Sequence, residues 1–196
     1  MCQGGYVVNA SSEKGRLAIN GMSNNKRDTE NANSAIVVTV GPKDYGENIL
    51  DGMNYQRKLE EKAYTIGKGK IPIQLLKDFN NNKKTTSLKN VSPILKGQYQ
   101  LSNLNDILPE YLSESIKEAI PNFAKKINNF DKEDAILAGI ESRTSSPVRI
   151  LRNEEYECNI KGIYPCGEGA GYAGGITTSA VDGIKVAEQI IKKYNM

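Results

Sequence analysis

The sequence predicts an α/β fold of the mixed α+β kind, with strands and helices interspersed along the chain. Three observations carry that expectation. A nearly continuous β-branched run occupies 35–40, and two stretches with helical apolar spacing lie at 53–66 and 110–120. The chain then closes on a short apolar run, a glycine-dense loop and a long amphipathic stretch, in that order. With 196 residues, of which 38% are hydrophobic and 25% charged, the chain is long enough to bury a core in one domain or two small ones.

The elements follow in chain order. Tyr6 to Val8 reads as a short strand, and 9–33 is rich in Gly, Ser, Asn and charge. Ala35 to Val40 reads as a strand buried on both faces, closed by the Gly41-Pro42 turn. From Met53 to Ile66, residues Tyr55, Leu59, Ala63 and Ile66 share one helical face, and Gly67 and Gly69 end the helix. Ile71-Pro72-Ile73 is extended, because proline disfavours helix at the residue before it. The polar low-complexity stretch from Asn80 to Asn90 reads as a flexible excursion. Pro109 opens a helix from Glu110 to Ile120, with Leu112, Ile116 and Ile120 in register. Ala135 to Ile140 reads as a strand, and Val148 to Leu151 with a stretch near Tyr156 as a β-hairpin around 153–155. Ile160 to Pro165 is a short apolar strand. A helix then runs from Ile176 to Tyr194, with Ile176, Ala180, Val181, Ile184, Ala187 and Ile191 as its apolar stripe.

Composition narrows the chemistry. The net charge of +3 comes from scattered basic residues and offers no stripe for a nucleic-acid backbone, so no nucleic-acid partner is expected. No window approaches the apolar length of a membrane span, and the N-terminal residues lack the pattern of a signal peptide. Cys2, Cys158 and Cys166 are three in number, without CxxC spacing, which argues against a disulfide framework or a zinc site. Histidine is absent, which removes Ser-His-Asp triads and Cys-His dyads. A cytoplasmic protein that borrows a cofactor fits these exclusions, and no metal is expected.

The loop Gly167-Glu168-Gly169-Ala170-Gly171-Tyr172-Ala173-Gly174-Gly175 holds five glycines in nine residues. Gly169-x-Gly171-x-x-Gly174 matches the dinucleotide-binding pattern, but the second strand and distal acidic residue of a Rossmann unit do not follow it. The physics of the loop survives that rejection. Glycines let the backbone approach a flat or phosphorylated ligand, and the helix behind them offers free N–H groups at its positive end. Glu168, at the strand end, is placed to accept hydrogen bonds from a sugar-like hydroxyl. The alternative is a tight turn that only packs strand on helix. Tyr172 is either a stacking plate for a ligand or a packed lid.

The segment Gly162-Ile-Tyr-Pro-Cys-Gly-Glu-Gly-Ala-Gly-Tyr-Ala-Gly-Gly-Ile176, with Ala180-Val-Asp-Gly183, resembles the closing motif of two-domain FAD flavoproteins. Its wording resembles one branch in particular, the uncharacterised bacterial FAD-dependent dehydrogenases. Gly4 to Glu13 with Asn20 to Ser23, Asn31 to Ala35 and Glu141 to Arg149 resemble other segments of that branch, with Gln3 where proline is expected. The resemblance implies FAD as cofactor and Gly167, Glu168, Gly169, Gly171, Tyr172, Gly174, Gly175 and Ile176 as its contacts. It also implies a substrate-side domain over 1–150 and, over 151–196, the closing strand, loop and helix of the FAD-binding domain. The N-terminal dinucleotide-binding unit of such proteins is not in this sequence. The final helix is therefore expected to need a sheet supplied by another chain, or to leave apolar surface exposed.

Arg143 and Arg149 flank Thr144-Ser145-Ser146-Pro147. On the resemblance, Arg143, Ser145, Ser146 and Arg149 form a cationic, hydroxyl-rich loop on the side of an unidentified small-molecule substrate; otherwise they are a surface turn. Cys166 is either a buried structural cysteine or a thiol near the flavin, and Ser11, Ser12, Glu13 and Arg16 are either cleft residues or a capped turn. The leading expectation is the C-terminal part of an FAD-dependent oxidoreductase. A non-catalytic interaction module and a flavoprotein of RNA modification are the rivals, the second disfavoured by the missing basic face.

Overall fold

A computed structural model describes residues 2–195, and the fold is mixed α/β, with small mixed sheets and five helices among them. The chain divides into two compact units. One runs up to Val40 and resumes at Tyr55–Ser142; the other comprises Gly41–Asn54 and the chain from Arg143 onward.

The first unit is built on β5, Ile71–Leu75, whose five residues are all buried. An apolar run with both faces covered must sit between other strands. Here β7, Tyr99–Leu101, pairs parallel on one side and β8, Ile136–Ala138, antiparallel on the other. Pro72 is tolerated in this central strand because it lies opposite the point where β8 has ended. Its carbonyl still accepts the Gly139 N–H at 3.1 Å, so one bond at the ladder's end is all that the ring removes. A second sheet has the order β3-β2-β6, formed by β3 Ile19–Ser23, β2 Gly5–Asn9 and β6 Leu95–Lys96. A two-stranded ribbon pairs β1 Cys2–Gln3 with β4 Ala32–Asn33. Helix α2, Asp51–Gly67, places Leu59 and Ala63 inward, and α4, Glu110–Ala124, places Leu112 and Ile120 inward. The core of the unit gathers Leu17, Ile71, Ile73, Leu76, Phe79 and Ile107.

Three expectations from sequence are corrected. Ala35 to Val40 forms no strand: Ile36, Val38 and Val40 are half-buried while Ala35, Val37 and Thr39 are exposed. That alternation belongs to an extended chain with one face on the protein and no neighbour to pair with. Ile160 to Pro165 forms no strand either, and its backbone bonds close local turns from Cys158 N to Ile163 O and from Ile163 N to Ile160 O. The expected hairpin around 153–155 is a turn without strands, capped by the Asn153 side chain at the amides of Glu155 and Glu157. All three fail for the same reason: a strand exists only with a run of backbone partners, and among the described residues none of these segments has a ladder, Val148 to Leu151 having the single bond from the Ile150 N–H to the Ala170 carbonyl. The strand at Ile19–Ser23 and the short helix α3, Leu76–Asn80, are additions.

The polar stretch after α3 is tied down more firmly than its composition suggests. Buried Thr85 accepts the Leu75 N–H at 2.9 Å and donates to Asp78 at 2.5 Å. Fully buried Gln74 donates to the Lys83 carbonyl at 2.7 Å and accepts the Leu104 N–H at 2.7 Å. Gln74→Leu fills the same space and leaves the Leu104 N–H without its acceptor. A destabilisation of about 1–3 kcal/mol is expected in a denaturant titration, and an unchanged midpoint would refute this role for Gln74.

Candidate functional site

Every loop residue and every substrate-side residue expected from sequence falls within the second unit. Among the described residues the glycine loop there has no strand ladder to hold it; two internal turn bonds, Gly171 N–H to the Glu168 carbonyl and Tyr172 N–H to the Gly167 carbonyl, and groups from outside fix its backbone. At its start, Gly167 takes φ +70° and donates its N–H to the Asp182 carboxylate at 2.8 Å. In the middle, the Gly169 carbonyl accepts the Ser146 hydroxyl at 3.2 Å, and the Ala170 carbonyl accepts the Ile150 N–H at 3.2 Å. The Gly171 carbonyl accepts the Arg149 Nε–H at 2.9 Å. Gly171 must be glycine, because at φ +81° a Cβ would lie 2.7 Å from the Val148 carbonyl oxygen. A Cβ on Gly174 would lie 3.8 Å from the Ser145 hydroxyl. The structure thus brings Ser145, Ser146 and Arg149 against the loop, while Arg143 is exposed at the head of their segment.

Arg152 and Asp182 escaped the sequence reading. The guanidinium grips Asp182 through two N–H groups, at 3.0 and 2.6 Å, and donates to the Pro165 carbonyl at 2.7 Å. It also lies 3.6 Å from the centre of the Tyr172 ring and 4.5 Å from that of Tyr156. The two side chains are 10% and 13% exposed, so water screens the pair little. The Arg152 guanidinium, more than the Gly167 amide, holds the Asp182 carboxyl below its ordinary range. The only sequence signal was an aspartate in the apolar helix of the closing motif.

Tyr172 donates its hydroxyl to the Ile150 carbonyl at 3.0 Å, and its ring meets Arg152 and, at 5.0 Å, Arg149. Glu168 is exposed, and its carboxylate makes none of the hydrogen bonds or ion pairs found among the described residues; its carbonyl accepts the Gly171 N–H at 2.9 Å. Cys166 is an exposed free thiol rather than a buried one. In the first unit, Arg16 bridges Glu13 and Glu61, and Arg57 reaches Glu13 at 3.3 Å, so two of the cleft candidates, Glu13 and Arg16, sit in a surface ion network, while the Ser11 hydroxyl accepts the Ala18 N–H at 3.2 Å.

Helix α5, Ile176–Tyr194, starts where the sequence placed it. Gly175 caps it in extended conformation with no side-chain hydrogen bond to the first turn. Its contacts with the unit come from Ser179, Asp182, Val186 and Lys193, spaced as one helical face. The apolar stripe faces away. Ile176 is 94% exposed, and Val181, Ile184 and Ile191 are exposed too. Lys193 donates to Glu157 at 2.5 Å, and the Gly162 N–H donates to the same carboxylate at 2.6 Å. Among the described residues no helix is long and apolar enough to cross a membrane.

The site fits a flavin dinucleotide in three respects. Nothing lies within 4 Å of a Cβ built on Gly169, which leaves the loop open to close approach. The first turn of α5 is uncapped, and the Ser179 hydroxyl oxygen, on the residue whose Cβ lies 3.8 Å from the position of a Cβ on Gly167, is buried without a hydrogen-bond partner. Residues 1–144 match the family described as FAD-dependent protein, C-terminal domain-like. An uncharacterised protein of Clostridium beijerinckii is 52% identical over 200 residues, covering 100% of this chain and 38% of that protein. The chain belongs to the family of C-terminal domains of FAD-dependent proteins.

Two depressed carboxyls set the acid behaviour of this unit. Glu157 is held low by the Gly162 amide first and the Lys193 ammonium second, and Asp182 by Arg152. Both stabilise the fold above the unfolded carboxyl range, near pH 4, and lose that contribution as pH falls through their lower folded values. Acid unfolding of the unit should therefore begin below about pH 4. Glu157→Gln should flatten the dependence, and an identical acid profile in that variant would contradict the assignment.

Proposed function

We propose that the chain forms the flavin-facing C-terminal part of an FAD-dependent oxidoreductase, a dehydrogenase working in the cytoplasm on a small molecule. The observation that carries this reading is an open glycine loop braced from behind by side chains, beside the uncapped start of a long helix, in a member of an FAD-dependent family. Gly167, Gly169, Gly171, Gly174 and Gly175 would give the cofactor close access to backbone, and the first-turn amides of Ile176 would face its electron-rich edge. Glu168 would accept hydrogen bonds from its hydroxyls, and Tyr172 would border it. FAD itself would supply the two-electron chemistry. Ser145, Ser146 and Arg149 would brace the loop and, with Arg143, present positive charge and hydroxyls toward the substrate. The free thiols of Cys158 and Cys166 suit a reducing compartment.

The matched relative is longer: the chain spans 38% of its length. The exposed stripe of α5 is then the face on which a dinucleotide-binding part, on the same chain or another, would rest. Isolated, the chain should hold FAD weakly, and submicromolar binding to it alone would mean that the site is misplaced. Ile184→Asp should weaken association with that part while changing the unit's own stability by no more than about 0.5 kcal/mol, as for an exposed position.

Glu168→Ala tests the site directly. In the intact flavoprotein, removing a charged acceptor should cost about 1.5–3 kcal/mol of binding, roughly ten- to more than a hundred-fold in affinity. The readout is the flavin-to-protein ratio of the folded fraction, beside thermal stability without cofactor. Unchanged stoichiometry and affinity would make the loop a packing turn.

A further inference from the structure

We infer that Arg152 and Asp182 are positioning residues for the glycine loop: the carboxylate holds the Gly167 amide while the guanidinium holds Pro165 and Tyr172, and together they set where Glu168 stands. This rests on the proposed function only for the identity of the ligand.

The geometry separates this pair from an ordinary ion pair. Asp182 has three donors, two from Arg152 and the third the Gly167 N–H. Arg152 spends its remaining reach on the chain that enters the loop and on the ring within it, through Pro165 at 2.7 Å and Tyr172 at 3.6 Å. The contacts therefore bracket Glu168 from both sides, at 165 and 167 before it and at 172 after it. The Glu168 carbonyl accepts the Gly171 N–H at 2.9 Å within the loop, while its carboxylate enters none of the hydrogen bonds or ion pairs found among the described residues. Ser146 and Arg149 brace the later half of the loop at Gly169 and Gly171, and Asp182 ties its first residue to α5. A carboxylate on a flexible glycine segment would lose conformational freedom each time it closed on a ligand, and a braced one has already lost it.

The test uses the intact flavoprotein and two variants. Asp182→Ala removes both the ion pair and the acceptor of the Gly167 amide. Asp182→Asn keeps an oxygen for that amide and loses the charge. Amide hydrogen exchange, measured without flavin, should quicken at 165–172 in Asp182→Ala well beyond any change at Val186 to Tyr194, and less so in Asp182→Asn. Flavin affinity per folded molecule should fall about tenfold or more in Asp182→Ala, with partial recovery in Asp182→Asn. Exchange that rises no more in the loop than along α5 overturns the inference, and so does an affinity unchanged in a variant whose loop has loosened. If Asp182→Ala does not fold, Asp182→Asn against the wild type makes the same comparison with smaller expected differences. Wild-type protein that binds no flavin defeats the proposed function alone, because the exchange comparison still upholds or overturns the clamp.

Discussion

A segment with five glycines in nine residues has almost no side chains with which to fix itself, and no strand runs beside it to take its backbone hydrogen bonds. Two turn bonds inside it, from the Gly171 N–H to the Glu168 carbonyl and from the Tyr172 N–H to the Gly167 carbonyl, fix its centre, and the rest of its shape is imposed from outside. In the second unit that role falls to Asp182, Ser146, Arg149 and the Ile150 amide, which between them take one loop amide and three loop carbonyls. The polar segment 143–152 is therefore bound to the loop by necessity. Its serines and arginines satisfy backbone groups that would otherwise be left to water. This explains why residues read from sequence as a cationic substrate loop and residues read as a cofactor loop are found as one structure.

The orientation of α5 follows from the same constraint. A helix normally turns its apolar stripe inward, because burying an Ile or Val side chain is worth about 1.5–3 kcal/mol. Here Asp182 and Lys193 occupy the inner face, since Gly167 and Arg152 bind the first and Glu157 binds the second. Ile176, Val181, Ile184 and Ile191 are left outside. A contiguous exposed apolar row is the kind of surface that interfaces use, and on the proposed reading the dinucleotide-binding part would cover it. The helix would then be shared, with its polar face shaping the site and its apolar face joining the rest of the flavoprotein.

Periodicity carried the elements whose burial is decided locally. The helical faces of 53–66 and 110–120 and the start of the last helix at Ile176 were legible, as was the extended Ile71-Pro72-Ile73. What was not legible is what depends on a distant partner. Ala35 to Val40 has strand composition, and Ile160 to Pro165 is apolar and short, yet each lacks a neighbour among the described residues to pair with. The Arg152–Asp182 pair joins positions thirty residues apart, which no local spacing reveals. Asp182 was visible only as part of Ala180-Val-Asp-Gly183, and Arg152 not at all. Amphipathicity located the apolar stripe of α5 correctly but not the side it faces, because a pattern gives the face and only the partners give its direction.

The two carboxylates beside the loop show how one short segment can separate support from recognition. Asp182 accepts three hydrogen bonds from the protein and is nearly buried, so little of its capacity is left for a ligand. Glu168 is exposed, with none of its capacity used by the protein. Swapping their environments would defeat both: a saturated carboxylate at the loop's outer edge could not bind a hydroxyl, and an unpaired one behind the loop would carry the cost of a desolvated charge. The arrangement also accounts for the glycines that flank Glu168. Gly167 must expose its amide to Asp182 at positive φ, and Gly169 leaves the space beyond Glu168 free of any Cβ. Tyr172 is the one bulky side chain within the loop, and the rest of the packing comes from outside it: the Arg152 guanidinium lies 3.6 Å from the centre of the Tyr172 ring and 4.5 Å from that of Tyr156.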